Sequence, residues 1–310
     1  MPHPLRMFAS HDTWFITCRT FQARLLMTPS SPRVRSVCGG VLAKAVQLCG
    51  VRLHGYVFLS NHLHLIIQAQ GQQVATFMKY LLSNLSRKLA PLCQPRWWGR
   101  FWERRYTASP ILDESALEER LAYVVAHGVK EGLVRRACEW EGLHCVEQLM
   151  DEQPRRFAWL NWTRRWRGKR KVGAPPRLER FDKALEEEVE LMLTPLPHWA
   201  AETPDRRQQR MRAFVARVEE DAGRAWVGER EPLGPDAIRR QTTEPRPRRK
   251  RSPRPPCHAS SHEGRSSFKQ AYRAFCGAFR VAAKQWLRGD VLAQFPCGAF
   301  KPHVYEVRIV

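Results

Sequence analysis

The sequence predicts an α+β protein in which a sheet rich in antiparallel strands carries helices on one face. Short segments rich in β-branched and aromatic residues alternate with segments in which apolar residues recur at helical spacing. Over residues 12–127 the predicted order is strand, helix, strand, strand, helix, strand, helix. That order is typical of an α+β sheet rather than of a regularly alternating parallel one.

Three strands are predicted in the first 70 residues. Residues 12–20 combine aromatic and β-branched residues and indicate the first strand. Residues 51–59 and 62–68 indicate two more, with only Ser60 and Asn61 between them. A fourth extended segment is expected over residues 100–112.

Three helices are predicted between these strands and after them. Residues 33–49 carry one apolar stripe, and residues 72–90 carry the clearest one, with Pro91 and Pro95 ending that helix. Residues 114–127 are expected to form the third helix. Ser115 and Glu118 have the spacing of a capping box at its start.

The length of 310 residues suggests about two domains. We predict a first domain over residues 1–150 and a helical, basic extension over 151–238, with helices at 178–194 and 205–226. Residues 239–265 contain a basic, proline-rich run, which predicts a flexible linker. Residues 266–310 are expected to form a helix that docks back on the main domain, followed by a tail. The C-terminal extension is therefore predicted to be helical and partly disordered.

The composition disfavours a membrane-spanning or a secreted protein. No apolar run reaches the roughly 18 residues that a spanning helix needs, and the N-terminus has no signal-peptide core. The nine cysteines are scattered without a C-x-x-C pair, which favours free thiols in a reducing, cytoplasmic environment.

The chain is strongly basic: Lys and Arg number 52 against 30 Asp and Glu, a net charge of +22. Nucleic acid is the favoured partner for such a charge, and an acidic membrane surface is second.

Two segments mix cations with aromatic rings, at residues 96–106 and 159–171. Cations neutralise phosphates, and flat rings stack on unpaired bases, so both segments are candidate DNA-binding surfaces. The alternative, about equally favoured for either segment alone, is that the tryptophans are core and the arginines a solvated rim. The candidate DNA-binding residues are Arg96, Trp98, Arg100, Arg104, Arg105, Arg164, Arg165 and Lys169.

A pair of histidines lies on the third predicted strand. Side chains two apart on a strand point to the same face, so His62 and His64 are expected to lie side by side. Two imidazoles in this arrangement can bind one divalent metal ion. An isolated His-x-His pair is more often simply hydrogen-bonded, although the otherwise apolar strand weakens that alternative.

A second pair lies on the predicted 114–127 helix. Tyr123 and His127 are four residues apart and therefore neighbours on one face. That face is turned about a third of the circumference from the apolar stripe. A tyrosine there is more often a rim residue than a nucleophile. Beside a metal held by two histidines, however, it could attack a phosphate that the metal polarises.

Together these residues resemble a known family. Residues 56–66 resemble the His-hydrophobic-His motif of HUH single-strand endonucleases, and residues 100–106 resemble a signature of their single-tyrosine branch. Residues 123–134 are similar to the catalytic helix of that branch and the turn after it. Over about residues 10–150 the chain resembles the REP-associated tyrosine transposases, relatives of small insertion-sequence transposases.

The resemblance implies a ferredoxin-like sheet with the two histidines on a central strand. It implies Mg²⁺ or Mn²⁺ bound by His62 and His64, and Tyr123 as the nucleophile that forms a 5′-phosphotyrosine bond with single-stranded DNA. The family usually places an amide side chain, followed by proline, four residues after the tyrosine, where this chain has His127 and Gly128. His127 is therefore expected to be a third metal ligand. The alternative is that it ends the helix before a left-handed Gly128.

Three functions follow as alternatives. The first is a DNA-nicking and strand-transfer enzyme acting on single-stranded or hairpin DNA, as a monomer or homodimer, and the intact set of His62, His64 and Tyr123 favours it. The second is an inactive relative that only binds DNA hairpins. An RNA-binding protein ranks last, because the predicted strands lack the aromatic signature of RNA-binding sheets.

Overall fold

The structure, a computed structural model, describes residues 5–8, 12–161, 185–226, 231–244 and 255–302. Within these ranges the chain forms six strands and eight α-helices. The first seven elements follow the predicted order of strand, helix, strand, strand, helix, strand, helix.

A four-stranded antiparallel sheet forms the centre of the N-terminal part. Its strands are β1 (Thr13–Arg19), β2 (Arg52–Phe58), β3 (His62–Gln68) and β4 (Thr107–Pro110). Their spatial order is β2-β3-β1-β4, the arrangement of a ferredoxin-like βαββαβ unit. The predicted α+β class is confirmed, and the histidine strand β3 is central. Thr17 of β1 lies opposite His64 and Arg19 lies opposite His62.

Two long helices connect the strands of this unit. Helices α1 (Pro32–Cys49) and α2 (Gln73–Leu89) pack against each other and bury most of the stripes that predicted them, although Leu48 near the end of α1 is exposed. Their contact with each other places both connecting helices on one face of the sheet. Helix α1 also packs closely on a second, two-stranded sheet. A Cβ atom at Gly40 would lie 2.4 Å from the backbone oxygen of Ala158, so only glycine permits this approach.

Helices α3 (Glu114–Val125) and α4 (His127–Lys130) follow β4. Helix α3 packs on β2 and β3, where Leu121 lies against Gly55. The predicted capping box is wrong: Asp113 caps α3 and accepts a hydrogen bond from the Ala116 amide.

Glu118, which the capping box would have used, has another role. Its Oε1 is 2.9 Å from His198 Nε2 and accepts a hydrogen bond from the Trp199 indole. An aspartate one residue before the predicted start is an equally good cap, and the sequence pattern could not rank the two.

The region after residue 150 differs from the prediction. Strands β5 (Arg155–Leu160) and β6 (Glu186–Leu191) pair antiparallel, so the helix predicted over 178–194 is wrong for its described part. Acidic side chains alternate there with buried Val189 and Leu191, a period of two that the high charge obscured. Helix α6 (Pro204–Trp226) confirms the helix predicted at 205–226.

Where the structure describes the predicted linker, the chain is hydrogen-bonded to the end of strand β4. His258 forms a parallel bridge with Ile111, and its amide donates to the carbonyl of Pro110 over 2.8 Å. This differs from the flexible connection predicted over 239–265, whose residues 245–254 lie outside the described part of the chain. The remaining helices are α5 (Val146–Asp151), α7 (Pro235–Arg239) and α8 (His262–Leu287).

Helix α8 packs on the main body. Phe268 and Phe275 are buried, and the Tyr272 hydroxyl donates to the carbonyl of Leu5. No helix in the described ranges is long and apolar enough to cross a membrane.

Candidate metal and nucleophile site

Three histidines, two from strand β3 and one from helix α4, lie close together at one face of the sheet. The alternation of β3 places His62 and His64 on one face, and the start of α4 brings His127 to them. All three side chains are buried. Their nitrogen atoms lie within 4.8 Å of one another, close enough to share one metal ion.

Neighbouring polar groups orient two of the rings. Asn61 Oδ1 accepts from His62 Nδ1 over 2.6 Å, which places the lone pair of His62 on Nε2, the nitrogen that faces His127. Thr17 Oγ1 lies 2.9 Å from His64 Nδ1. Both partners lie next to the histidines, one before His62 in the chain and one opposite His64 on β1. Fixing the outer ring nitrogen is how a protein aims an imidazole at a metal.

The ring nitrogens of the three histidines that face one another are arranged so that they could bind one cation. His62 Nε2 and His127 Nε2 are 2.6 Å apart. Within the described residues, His64 Nε2 and His127 Nδ1 are buried without a hydrogen-bond partner. Buried polar atoms are rarely left unpaired, so this donor set matches a divalent metal better than a set of merely hydrogen-bonded side chains.

The site keeps its histidines neutral. Burial lowers the pKa of His62 and of His64 well below the usual value, and that of His127 to about 3. The positive charge of Arg19 acts in the same direction on all three. Neutral imidazoles are the form that binds metal.

Tyr123 lies beside this cluster. It is on the last turn of α3, and its ring centroid is 4.7 Å from that of His127 and 5.2 Å from that of His64. The ring is half-buried. Burial and the charge of Glu131 raise the pKa of the hydroxyl, whereas the charges of Arg19 and Arg120 oppose them. The structure thus brings together all four residues that were predicted from the sequence to bind metal or to act as the nucleophile.

Three cations around Tyr123 were not anticipated. The Arg120 guanidinium is 5.5 Å and the Lys130 amine 5.7 Å from the centroid of its ring. Arg19 is exposed and lies opposite His62 in the sheet. Arg120 is three residues before Tyr123, and that helical spacing could have revealed it. Placing Arg19 required the strand register. An anionic group approaching the tyrosine would meet positive charge.

One wall of the site is aromatic. The Phe15 ring stacks on His64 with centroids 5.1 Å apart and meets the Tyr123 ring edge-on. His258, from the segment before α8, approaches Phe15 edge-on at 5.2 Å. Burial and the charge of Arg120 lower the pKa of His258 to about 4. Nothing local in the sequence indicated that His258 would lie here.

The predicted DNA-binding residues fall into two groups. Those before β4 are exposed, and the Arg96 guanidinium lies 4.0 Å from the centroid of the Trp98 ring. Arg100, Arg104 and Arg105 line a cavity of about 460 Å³ at the end of α2. Phe101 is buried in the core, whereas the Trp98 ring is exposed beside the arginines. Arg164, Arg165 and Lys169 lie outside the described residues.

Comparison with known proteins agrees with this geometry. A family model described as "Transposase IS200 like" matches residues 15–127. This segment is therefore similar to the IS200-like transposases. It begins in β1 and ends at His127, so it includes the three histidines and Tyr123.

Two solved structures are similar to parts of the chain. One is a REP-associated tyrosine transposase bound to a REP hairpin, with 16% identity and a TM-score of 0.40, covering 48% of this chain and 85% of that one. The other, from Deinococcus radiodurans, is provisionally described as a transposase. It has 16% identity and a TM-score of 0.29, and the match covers 39% of this chain and 93% of that one. No curated protein matches the chain.

Proposed function

We propose that this protein is a metal-dependent endonuclease and strand transferase that acts on single-stranded or hairpin DNA through a phosphotyrosine intermediate. The observation that carries the proposal is the contact of Tyr123 with His64 and His127, two of three clustered histidines, inside a segment that matches the IS200-like transposase model. The net charge of +22 supports a polyanionic substrate.

His62, His64 and His127 would hold one divalent ion. Nitrogen ligands favour Mn²⁺, whereas Mg²⁺ is the more abundant ion. Such an ion supplies Lewis-acid polarisation of a phosphate oxygen.

Tyr123 would act as the nucleophile. A bond forms between its Oη and the scissile phosphorus while the bond from phosphorus to the 3′ oxygen breaks. The phenolic proton passes to solvent, and the departing 3′ oxygen takes up a proton. The products are a 5′-phosphotyrosine bond and a free 3′-hydroxyl, and attack by a second 3′-hydroxyl reverses the step and joins the strands. The covalent bond conserves the energy that rejoining needs.

Arg19, Arg120 and Lys130 would position the phosphate. Positive groups near Tyr123 attract the DNA backbone and stabilise the charge that develops on the phosphoryl oxygens. They also stabilise the phenolate that forms as Tyr123 loses its proton. The basic and aromatic segment at 96–106 would hold the strand that leads to this site.

The alternative is an inactive relative that only binds DNA hairpins. The two functions differ in one product, the covalent adduct. Labelled hairpin single strands incubated with Mn²⁺ should give a protein–DNA adduct that survives denaturing electrophoresis. Binding without adduct under any metal condition would favour the binding protein.

The matched control removes one oxygen atom. We expect Tyr123→Phe to abolish the adduct and leave DNA affinity within about twofold, because the ring and its packing remain. An adduct of undiminished yield in Tyr123→Phe would exclude Tyr123 as nucleophile and direct attention to Tyr106.

A further inference from the structure

Helix α8 carries a line of cations along its exposed side. They recur mainly every four residues, so at 100° per residue they occupy an arc of about 140°. From first to last they span 23 residues, about 35 Å along the helix axis. This cationic stripe consists of six exposed residues, Arg265, Lys269, Arg273, Arg280, Lys284 and Arg288.

The aromatic residues of α8 show which side of the helix faces the protein. All five aromatic residues of the helix are buried or half-buried, so the helix turns its rings towards the protein and its cations towards solvent. The rings belong to Phe268, Tyr272, Phe275, Phe279 and Trp286.

Within the described residues the stripe has little compensating charge, although Arg265 interacts electrostatically with the Asp113 carboxylate and lowers its pKa. Glu263 is the single acidic residue of α8, and no carboxylate in the described ranges forms an ion pair with any of the six cations. Like charges four apart on a helix destabilise it. An anionic partner lying along the helix would relieve that repulsion.

We propose that the cationic stripe binds the phosphate backbone of the paired stem of a DNA hairpin, a role that rests on the proposed function. Single strands are held by rings on which bases stack, and α8 exposes no ring between its cations. Cations alone neutralise phosphates without reading bases. The stripe is also about as long as one turn of duplex DNA, roughly 34–36 Å.

The position of α8 links the stem to the chemistry. The stripe begins seven residues after His258, which is bonded to the edge strand β4 and contacts the Phe15 ring beside His64. Asp113, the cap of the helix that bears Tyr123, also accepts from the Ser260 amide just before α8. A stem lying on α8 would therefore be held in a defined relation to Tyr123.

The test measures the salt dependence of binding for two probes, a labelled hairpin with a fully paired stem and the same strand length without a stem. The variant is Arg280→Gln/Lys284→Gln/Arg288→Gln. The matched control, Arg206→Gln/Arg212→Gln/Arg217→Gln on α6, removes the same charge from exposed positions. Anisotropy titrations give the slope of log affinity against log salt for each protein.

We expect the hairpin slope of the α8 variant to be shallower by about 0.9 for each phosphate that the variant no longer neutralises. Between 50 and 200 mM salt, the wild-type protein should then lose about 40-fold more hairpin affinity than the variant. The slope for the unpaired strand, and both slopes of the α6 control, should stay at the wild-type values.

Three outcomes contradict the proposal in different ways. If the wild-type protein binds the hairpin and the α8 variant has the same slope, only the stem role fails. If no DNA is bound by the wild-type protein, the proposed function fails as well. If the variant loses binding to phosphatidylserine vesicles while its hairpin binding is unchanged, the stripe is a membrane-surface site, to which exposed Val281 and Leu287 would contribute.

Discussion

At the scale of single residues, His127 is where this chain most clearly differs from the family pattern that it resembles. The alternative role as a helix end is not supported by the structure. Gly128 continues into α4 instead of adopting a left-handed conformation, and the left-handed glycine is Gly132, with φ of 67°. His127 is 1% exposed and faces His62 and His64. Its surroundings are those of a ligand rather than of a cap.

Substitution at His127 should therefore change metal affinity. We expect His127→Ala to raise the Mn²⁺ concentration for half-maximal binding by about 10-fold, the equivalent of about 1.4 kcal/mol. His127→Asn, which restores the family's usual amide, should keep activity and shift preference towards Mg²⁺. Free Mn²⁺ measured by electron paramagnetic resonance reports binding without requiring catalysis.

Thermal unfolding of both variants in chelator provides the control for folding. An unchanged Mn²⁺ affinity in a folded His127→Ala protein would show that two histidines suffice and that His127 is not a ligand.

At the scale of elements, the start of α3 decides where Tyr123 lies. Asp113 accepts from the Ala116 amide over 2.8 Å, and its other oxygen accepts from the Ser260 amide over 2.8 Å. One carboxylate therefore begins the helix of the nucleophile and ties it to the segment that leads into α8. These hydrogen bonds lower the pKa of Asp113, although partial burial opposes them.

Two neighbouring substitutions test this cap. Asp113→Ala should reduce the free energy of unfolding by about 1–2 kcal/mol, because it removes an N-cap. Ser115→Ala should change it by less than about 0.5 kcal/mol, because Ser115 is exposed and does not cap the helix. Urea denaturation followed by circular dichroism measures both. Equal losses for the two variants would mean that Asp113 does not stabilise α3 as a cap.

At the scale of the whole molecule, buried histidines couple folding to pH. Burial lowers the pKa of His144 to about 3 and also lowers the pKa of His54. In the unfolded chain a histidine has a pKa of about 6.5. Between these values the unfolded state binds more protons than the folded state, so stability rises with pH and is lost as pH falls below about 6.5.

This dependence should appear in the melting temperature. We expect the melting temperature in chelator to fall steeply from pH 7 to pH 4, and His144→Asn to reduce the steepness. The asparagine oxygen can replace His144 Nδ1 as the acceptor for the Val146 amide. His262→Gln, at an exposed position, is the control and should leave the profile unchanged. A wild-type profile that is flat over this range would contradict the prediction.

The sequence by itself determined the order of the first seven elements, the shared strand face of His62 and His64, and the pairing of Tyr123 with His127. These are consequences of local periodicity, because side chains two apart share a strand face and side chains four apart share a helix face. Tertiary structure alone decided that Arg19 lies near Tyr123 and that His258 joins the site. Strand register, chain crossings and burial bring residues distant in sequence together, and no local pattern contains that information.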